Sequence, residues 1–329
     1  MEDELDEVAR AADFSGVVRV DRDGQVFAKA YGLAHRGYGI PNTVDTRFAI
    51  ASGVKGFTAL TVVSLIEQGL LSLSTRAREV LGDDLPLIDD AVTVEHLLAH
   101  RSGIGDFYDE DVLTDITAYV LPVPVQNLRD TEQYLAVLDG YPQQFEPGTR
   151  FKYCNGGFVV LALIAERVSG VPFHDLVLQR VCEPAGLADT DFLRSDSLGE
   201  RMAVGYLPVD GEWRTNVFHL PIRGSGDGGI YTTVADVSAL WRAFFAGRIV
   251  SPEWVAEMVR PHSDETEGPG SLRYGLGFWL HASSSAVLLV GGDAGVSFKS
   301  VHEPESGTTR TVIGNTSDGV WPVARFLNS

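Results

Sequence analysis

Ser52 and Lys55 stand three residues apart at the head of the apolar run Phe57-Thr58-Ala59-Leu60-Thr61-Val62-Val63. On a helix that spacing puts both side chains on one face, with Cβ atoms roughly 5–6 Å apart. A hydroxyl beside an amine is a nucleophile beside a base, provided the amine sheds or shares its proton. Burial favours this, because it penalises the ammonium and lowers a lysine pKa. Of the lysines at 29, 55, 152 and 299, only Lys55 has a serine three residues before it. Taken alone, the pair reads equally as an N-capping serine and a surface lysine.

Two further stretches carry groups such a nucleophile needs. Tyr153-Cys154-Asn155 is the only Tyr-x-Asn in the chain. A tyrosine oxygen can carry a proton between nucleophile and leaving group. Its pKa of about 10 must then be lowered by a cation, and Lys55 is the candidate. Asn155 offers an amide to a substrate carbonyl, or an N-cap to the apolar helix that follows. In Leu288-Leu289-Val290-Gly291-Gly292-Asp293-Ala294-Gly295, a strand ends in glycines. Glycines let a substrate lie against backbone and expose N–H groups as an oxyanion hole; a simple hairpin turn is the alternative. Asp293 reads as a turn cap ahead of a partner for a substrate amine.

The elements that must position these groups follow from the pattern. Val17 to Val20 and Gln25 to Gly32, joined by Asp21-Arg22-Asp23-Gly24, read as a hairpin. Phe48-Ala49-Ile50-Ala51 leads into the Ser52 helix, which should end at Gly69 in a left-handed cap. Residues 72–225 read as helix and loop, with Thr93 capping a helix that ends at Arg101-Ser102-Gly103. Another helix, 156–168, is apolar all round and so buried on every side. Strands return at 274–280, 286–290, 296–301 and 310–315, before a last helix over 321–326. Strands, helices, strands predict an α+β fold: one antiparallel sheet flanked by helices, with an inserted, mainly helical subdomain. The expected lobes are 1–72 with 226–329, and 73–225, with the active site in the cleft between them.

The 329 residues carry a formal charge of −19 with 44% hydrophobic residues. That charge argues against nucleic acid or an anionic membrane as partner. No stretch approaches the roughly 18 apolar residues of a membrane span. The N-terminus, Met1-Glu2-Asp3-Glu4-Leu5-Asp6-Glu7, has neither the basic nor the apolar part of a signal peptide, so a cytoplasmic location is expected. Cys154 and Cys182 read as two buried thiols. No zinc spacing is present: His96 and His100 are i,i+4 without the HExxH pattern and read as helix-end hydrogen-bonders. Gly224-x-Gly226-x-x-Gly229 lacks the βαβ setting of a dinucleotide site, and no Gly-x-Ser-x-Gly elbow occurs. Neither metal nor cofactor is expected, and the oligomeric state is open.

Together the three motifs, in this order, resemble the serine β-lactamase and penicillin-binding-protein superfamily, most closely its class C β-lactamase-like branch, with family VIII esterases and D-amino-acid peptidases. Glu67–Leu73, Val94–Ile104, Pro147–Asn155, Glu183–Thr190 and Gly228–Asp236 extend the resemblance over roughly residues 12–327. It implies that Ser52 forms an acyl-enzyme, with Lys55 and Tyr153 sharing the general-base work. Asn155 would orient the acyl side, and the strand carrying Gly291 and Gly292 would complete the oxyanion hole, formed by the Ser52 and Gly292 N–H groups. The implied function is a serine hydrolase of small esters or amides; a D-amino-acid peptidase, DD-carboxypeptidase or weak β-lactamase is the alternative, and a non-catalytic binding scaffold a third. One position departs: where the family has Lys, His or Trp, this chain has Leu289. The resemblance therefore implies no cation at that position for a substrate carboxylate, and Arg223 is the candidate replacement.

Overall fold

Val17 and Val18 are adjacent and both fully buried, on opposite faces of one sheet. Alternation along a strand does this: Val17 joins a large core with Phe57, Leu289 and Ile313, and Val18 a smaller one with Leu5, Val312 and Val320. The computed structural model describes residues 2–113, 115–263 and 271–328. Its main sheet has seven strands: β1 (Gly16–Arg22), β2 (Gln25–Tyr31), β3 (Leu272–Tyr274), β4 (Trp279–His281), β5 (Val287–Asp293), β6 (Val296–Glu303) and β7 (Thr308–Gly314). Their order is β2-β1-β7-β6-β5-β4-β3, antiparallel throughout. Strands from the two ends of the chain thus form one sheet, as the pattern predicts.

Helix α1 (Glu2–Ala11) and the last helix, α5 (Val320–Leu327), share the smaller core. In α1, Leu5 and Ala9 are buried at i,i+4, and Lys29 pairs with Glu2 and Asp6. The acidic N-terminus hides this helix, because only two buried residues mark its inner face.

Against the other face lie α2 (Val54–Glu67), α3 (Asn155–Ser169) and α4 (Val234–Phe245), contributing Phe57, Phe158 and Trp241 to the large core. Helix α2 ends at Gly69 (φ 75°), the left-handed cap expected, and α3 ends in the same way at Gly170 (φ 69°). Eleven residues of α3, Asn155 through Ala165, are all buried, as an apolar all-round helix must be.

Three elements differ from the sequence pattern. The run 274–280 breaks around Gly275-Leu276-Gly277 into β3 and β4. A helix over 173–183, which the sequence pattern ends at Pro184, runs through a π-helical turn, Leu178–Cys182, and on past the proline to Ala185. The region read as helix and loop contains a hairpin, Tyr206–Val209 with Glu212–Thr215. Asp210 and Gly211 both have positive φ, 53° and 80°, the conformation that makes Asp-Gly a tight hairpin turn. Both cysteines are free and buried. Among the described residues no single helix is long and apolar enough to cross a membrane.

Candidate active site

Ala51 enters the left-handed region (φ 44°), an uncommon conformation for a residue with a side chain. It begins a 3₁₀ turn, Ala51–Gly53, that carries Ser52 onto the first turn of α2. Two glycines bring this turn down onto β5. A Cβ on Gly291 would stand 2.0 Å from the Ile50 carbonyl and 3.0 Å from the Ser52 nitrogen; one on Gly56 would stand 2.7 Å from Leu289 Cδ2.

The Lys55 amine is almost wholly buried and donates three hydrogen bonds: to Ser52 Oγ at 3.0 Å, to Asn155 Oδ1 at 2.7 Å and to the Asp227 carbonyl at 3.0 Å. Burial pushes its pKa down from the ordinary lysine value, against the opposing pull of Asp227, Glu110 and Asp106. Lys55 Nζ also lies 4.9 Å from the centre of the Tyr153 ring, and the Tyr153 hydroxyl interacts with Ser52. Tyr153 is not driven toward phenolate as the sequence suggested. Burial and the nearby carboxylates hold its pKa well above 10, so the phenol keeps its proton. Its ring stacks on Trp279, with centroids 5.9 Å apart and planes 11° apart.

Asn155 is the first residue of α3 and not its cap. Cys154 holds the cap position, its sulfur accepting from the Gly157 N–H at 3.3 Å. The Asp106 carboxylate accepts from the N–H groups of Asn155 and Gly156. With the helix terminus satisfied elsewhere, the Asn155 side chain is free to hold Lys55. Its Nδ2 donates to the Tyr108 carbonyl at 3.0 Å and to Glu110 at 3.2 Å.

Several of these groups border a cleft of about 910 Å3, its open mouth included; Lys55 and Tyr153 are not among its lining residues. Ser52, Asn155 and Gly292 line it; Gly291 lies behind, buried against the Ser52 turn. Apolar side chains such as Tyr119, Leu220 and Val296 form much of its wall, together with three carboxylates, Glu110, Asp227 and Asp293. No lysine or arginine is among its described lining residues. Asp293 caps its turn through the Ala294 N–H at 2.7 Å, and burial pushes its carboxyl up to about 7. Leu289 is buried in the large core and does not reach the cleft. Arg223 supplies no replacement cation: its Nε donates to the Phe192 carbonyl at 3.0 Å.

The sequence reading brought together Ser52, Lys55, Tyr153, Asn155 and Gly292. It missed Asp106, Glu110 and the Asp227 carbonyl. The signal for Asp227 was present in Gly224-Ser225-Gly226-Asp227-Gly228-Gly229, whose backbone also accepts the Thr58 hydroxyl at Gly226 (2.7 Å). Asp106 and Glu110 sit in an irregular segment with no periodicity to place them. Among the described residues no group of three His, Cys, Asp or Glu side chains is set to hold a metal.

The family model "Beta-lactamase" matches residues 4–322. Esterase EstB of Burkholderia gladioli is 29% identical, the match covering 86% of this chain and 78% of that protein. The putative penicillin-binding protein PbpX of Bacillus subtilis is 28% identical over 82% of this chain, but the match spans only 63% of its length. A crystal structure of a penicillin-binding protein from Bacillus halodurans superposes with a TM-score of 0.92 at 33% identity, covering 98% of this chain and 99% of the other. The chain therefore belongs to the Beta-lactamase family, and it is a serine hydrolase of that family.

Proposed function

We propose that Ser52 is the nucleophile, Lys55 its base and Tyr153 the proton carrier, in a cleft between a sheet lobe (1–72 and 226–329) and a helical lobe (73–225). The observation that carries this reading is the set of partners around Lys55 Nζ. Two of them, Asn155 Oδ1 and the Asp227 carbonyl, can only accept. In the neutral amine they hold two hydrogens, which turns the lone pair toward Ser52 Oγ.

Ser52 Oγ attacks the ester or amide carbonyl while its proton passes to Lys55. The carbonyl oxygen, now negative, meets the N–H groups of Ser52 and Gly292; losing one such donor typically costs about 2.7–4 kcal/mol. Collapse breaks the bond to the leaving group, which takes a proton from the Tyr153 hydroxyl, itself reprotonated from Lys55. Water then attacks the acyl-enzyme, releasing the acid and restoring Ser52.

The walls favour an acyl or leaving group that is uncharged or carries an ammonium. The lining carboxyl groups of Glu110, Asp227 and Asp293 offer a substrate carboxylate no counter-charge, and Leu289 and Arg223 offer it nothing. This counts against β-lactams and D-Ala-D-Ala peptides as preferred substrates. Matched p-nitrophenyl esters ending in a methyl, an ammonium or a carboxylate test it. The carboxylate ester should show a kcat/KM lower by about tenfold or more, since a charge left without a partner in a site is costly. Equal rates for all three would overturn the substrate reading.

A further inference from the structure

His100 occupies a position that chain geometry would give to glycine. The helix Val94–Leu98 ends with Ala99 as its C-cap. The His100 N–H then bonds to the Leu97 carbonyl, and the Arg101 N–H to that of His96. This is the pattern in which the residue after the cap turns left-handed, most often a glycine. His100 has φ 54° and accepts the strain of carrying a side chain there.

The side chain has an evident use. The Lys152 N–H donates to the His100 carbonyl at 2.9 Å, and the Cys154 N–H donates to His100 Nδ1 at 3.0 Å. One residue thus grips the backbone on both sides of Tyr153. Its ring also lies against the Tyr153 ring, with centroids 4.3 Å apart. The imidazole is itself enclosed by Phe158 and Tyr274, at 4.9 and 4.6 Å, and its buried Nε2 has no hydrogen-bond partner. Because Nδ1 accepts, the ring proton is assigned to Nε2. Burial keeps the ring neutral, which preserves that acceptor.

We propose that His100 is a positioning residue for the reaction: by holding residues 152 and 154 together it fixes where the Tyr153 hydroxyl stands relative to Ser52. The inference rests on the proposed role of Tyr153. The acceptor atom is the essential part, and the ring is secondary.

Two substitutions separate these contributions. His100→Asn places an amide oxygen close to where Nδ1 stands and tolerates the left-handed conformation, but removes the ring. His100→Phe keeps a ring and removes the acceptor. The readout is the second-order rate of Ser52 modification by a fluorophosphonate, followed by intact mass, with kcat and KM for p-nitrophenyl butyrate alongside.

His100→Phe should slow modification by about 100-fold, the usual effect of misplacing a reacting group by about 1 Å, and lower kcat with little change in KM. His100→Asn should stay within about fivefold of wild type. A purely packing role gives the opposite order, Phe above Asn, and that result overturns the inference. If His100→Phe does not fold, His100→Leu, which matches Asn in shape but has no acceptor, should show the same loss, and parity with Asn overturns the inference. Tyr153→Phe is measured in parallel. A rate equal to wild type removes the role of Tyr153 and this inference with it, whereas a slow Tyr153→Phe beside a fast His100→Phe removes only the inference.

Discussion

Lys55 Nζ lies closer to Asn155 Oδ1, at 2.7 Å, than to Ser52 Oγ, at 3.0 Å. An amide oxygen is neutral, so it orients the amine without holding a full charge on it. Asn155→Asp would place a carboxylate there. An opposite charge at such a distance favours the ammonium and raises the lysine pKa by about 1–3 units. The rising limb of the pH profile of kcat/KM should therefore move to higher pH in Asn155→Asp. An unmoved limb would argue against Lys55 as the base.

Close contact between α2 and β5 sets the depth of the nucleophile. Alanine at position 56 would press on the end of the Leu289 side chain, which can yield, and overpacking of this kind costs about 1–3 kcal/mol. Alanine at position 291 would meet the Ile50 carbonyl, which is backbone and fixed just ahead of Ser52. Gly56→Ala should lower the denaturant midpoint while keeping measurable Ser52 modification. Gly291→Ala should lose most of that modification, and wild-type reactivity would contradict this placement of the turn.

Two desolvated carboxyls, Asp106 buried and Asp293 half-buried, each contribute stability that falls as pH rises. Asp293 is pushed up to about 7 and Asp106 to about 6, both by burial, against an ordinary value of 3.8. Between the ordinary and raised values the native state holds more protons than the unfolded chain, so stability declines with pH. The contribution is fully present below about 4 and is lost as pH passes through 6 to 7. Ion-paired carboxylates such as Asp6 and Asp109, whose pKa values are lowered, act with the opposite sign at more acid pH. Histidines kept neutral by burial, such as His174 and His302, act with the opposite sign between about pH 4 and 6.5, so the readout is the difference between two proteins: on going from pH 5 to pH 8, Asp293→Asn, which keeps an oxygen for the Ala294 N–H, should gain melting temperature relative to wild type. Equal slopes in the two proteins would count against a desolvated, protonated Asp293.

Much of this was legible in the sequence because it depends on local pattern. The all-apolar run of α3, the glycines at 69 and 170 and the alternation at Val17 and Val18 each have one structural solution. Ser52 and Lys55 stand three residues apart where a 3₁₀ turn runs straight into α2, so local spacing fixes their relation. Asp106 and Glu110 were not legible, because they approach Asn155 from an irregular segment about 45 to 50 residues away in sequence. The N-cap of α3 was misassigned for the same reason: a carboxylate from outside the helix took the work that a local asparagine would otherwise do. The direction of the Tyr153 shift was missed because burial outweighs the nearby amine, and burial of one side chain cannot be read from a three-residue motif.

The central claim is that Ser52 is a nucleophile activated by Lys55. Intact-mass measurement after treatment with a fluorophosphonate tests it most directly. A single adduct is expected on the wild-type protein and none on Ser52→Ala, with Lys55→Ala slower by about 100-fold or more, as loss of a general base implies. An adduct that persists in Ser52→Ala, or a Lys55→Ala protein as reactive as wild type, would contradict the account.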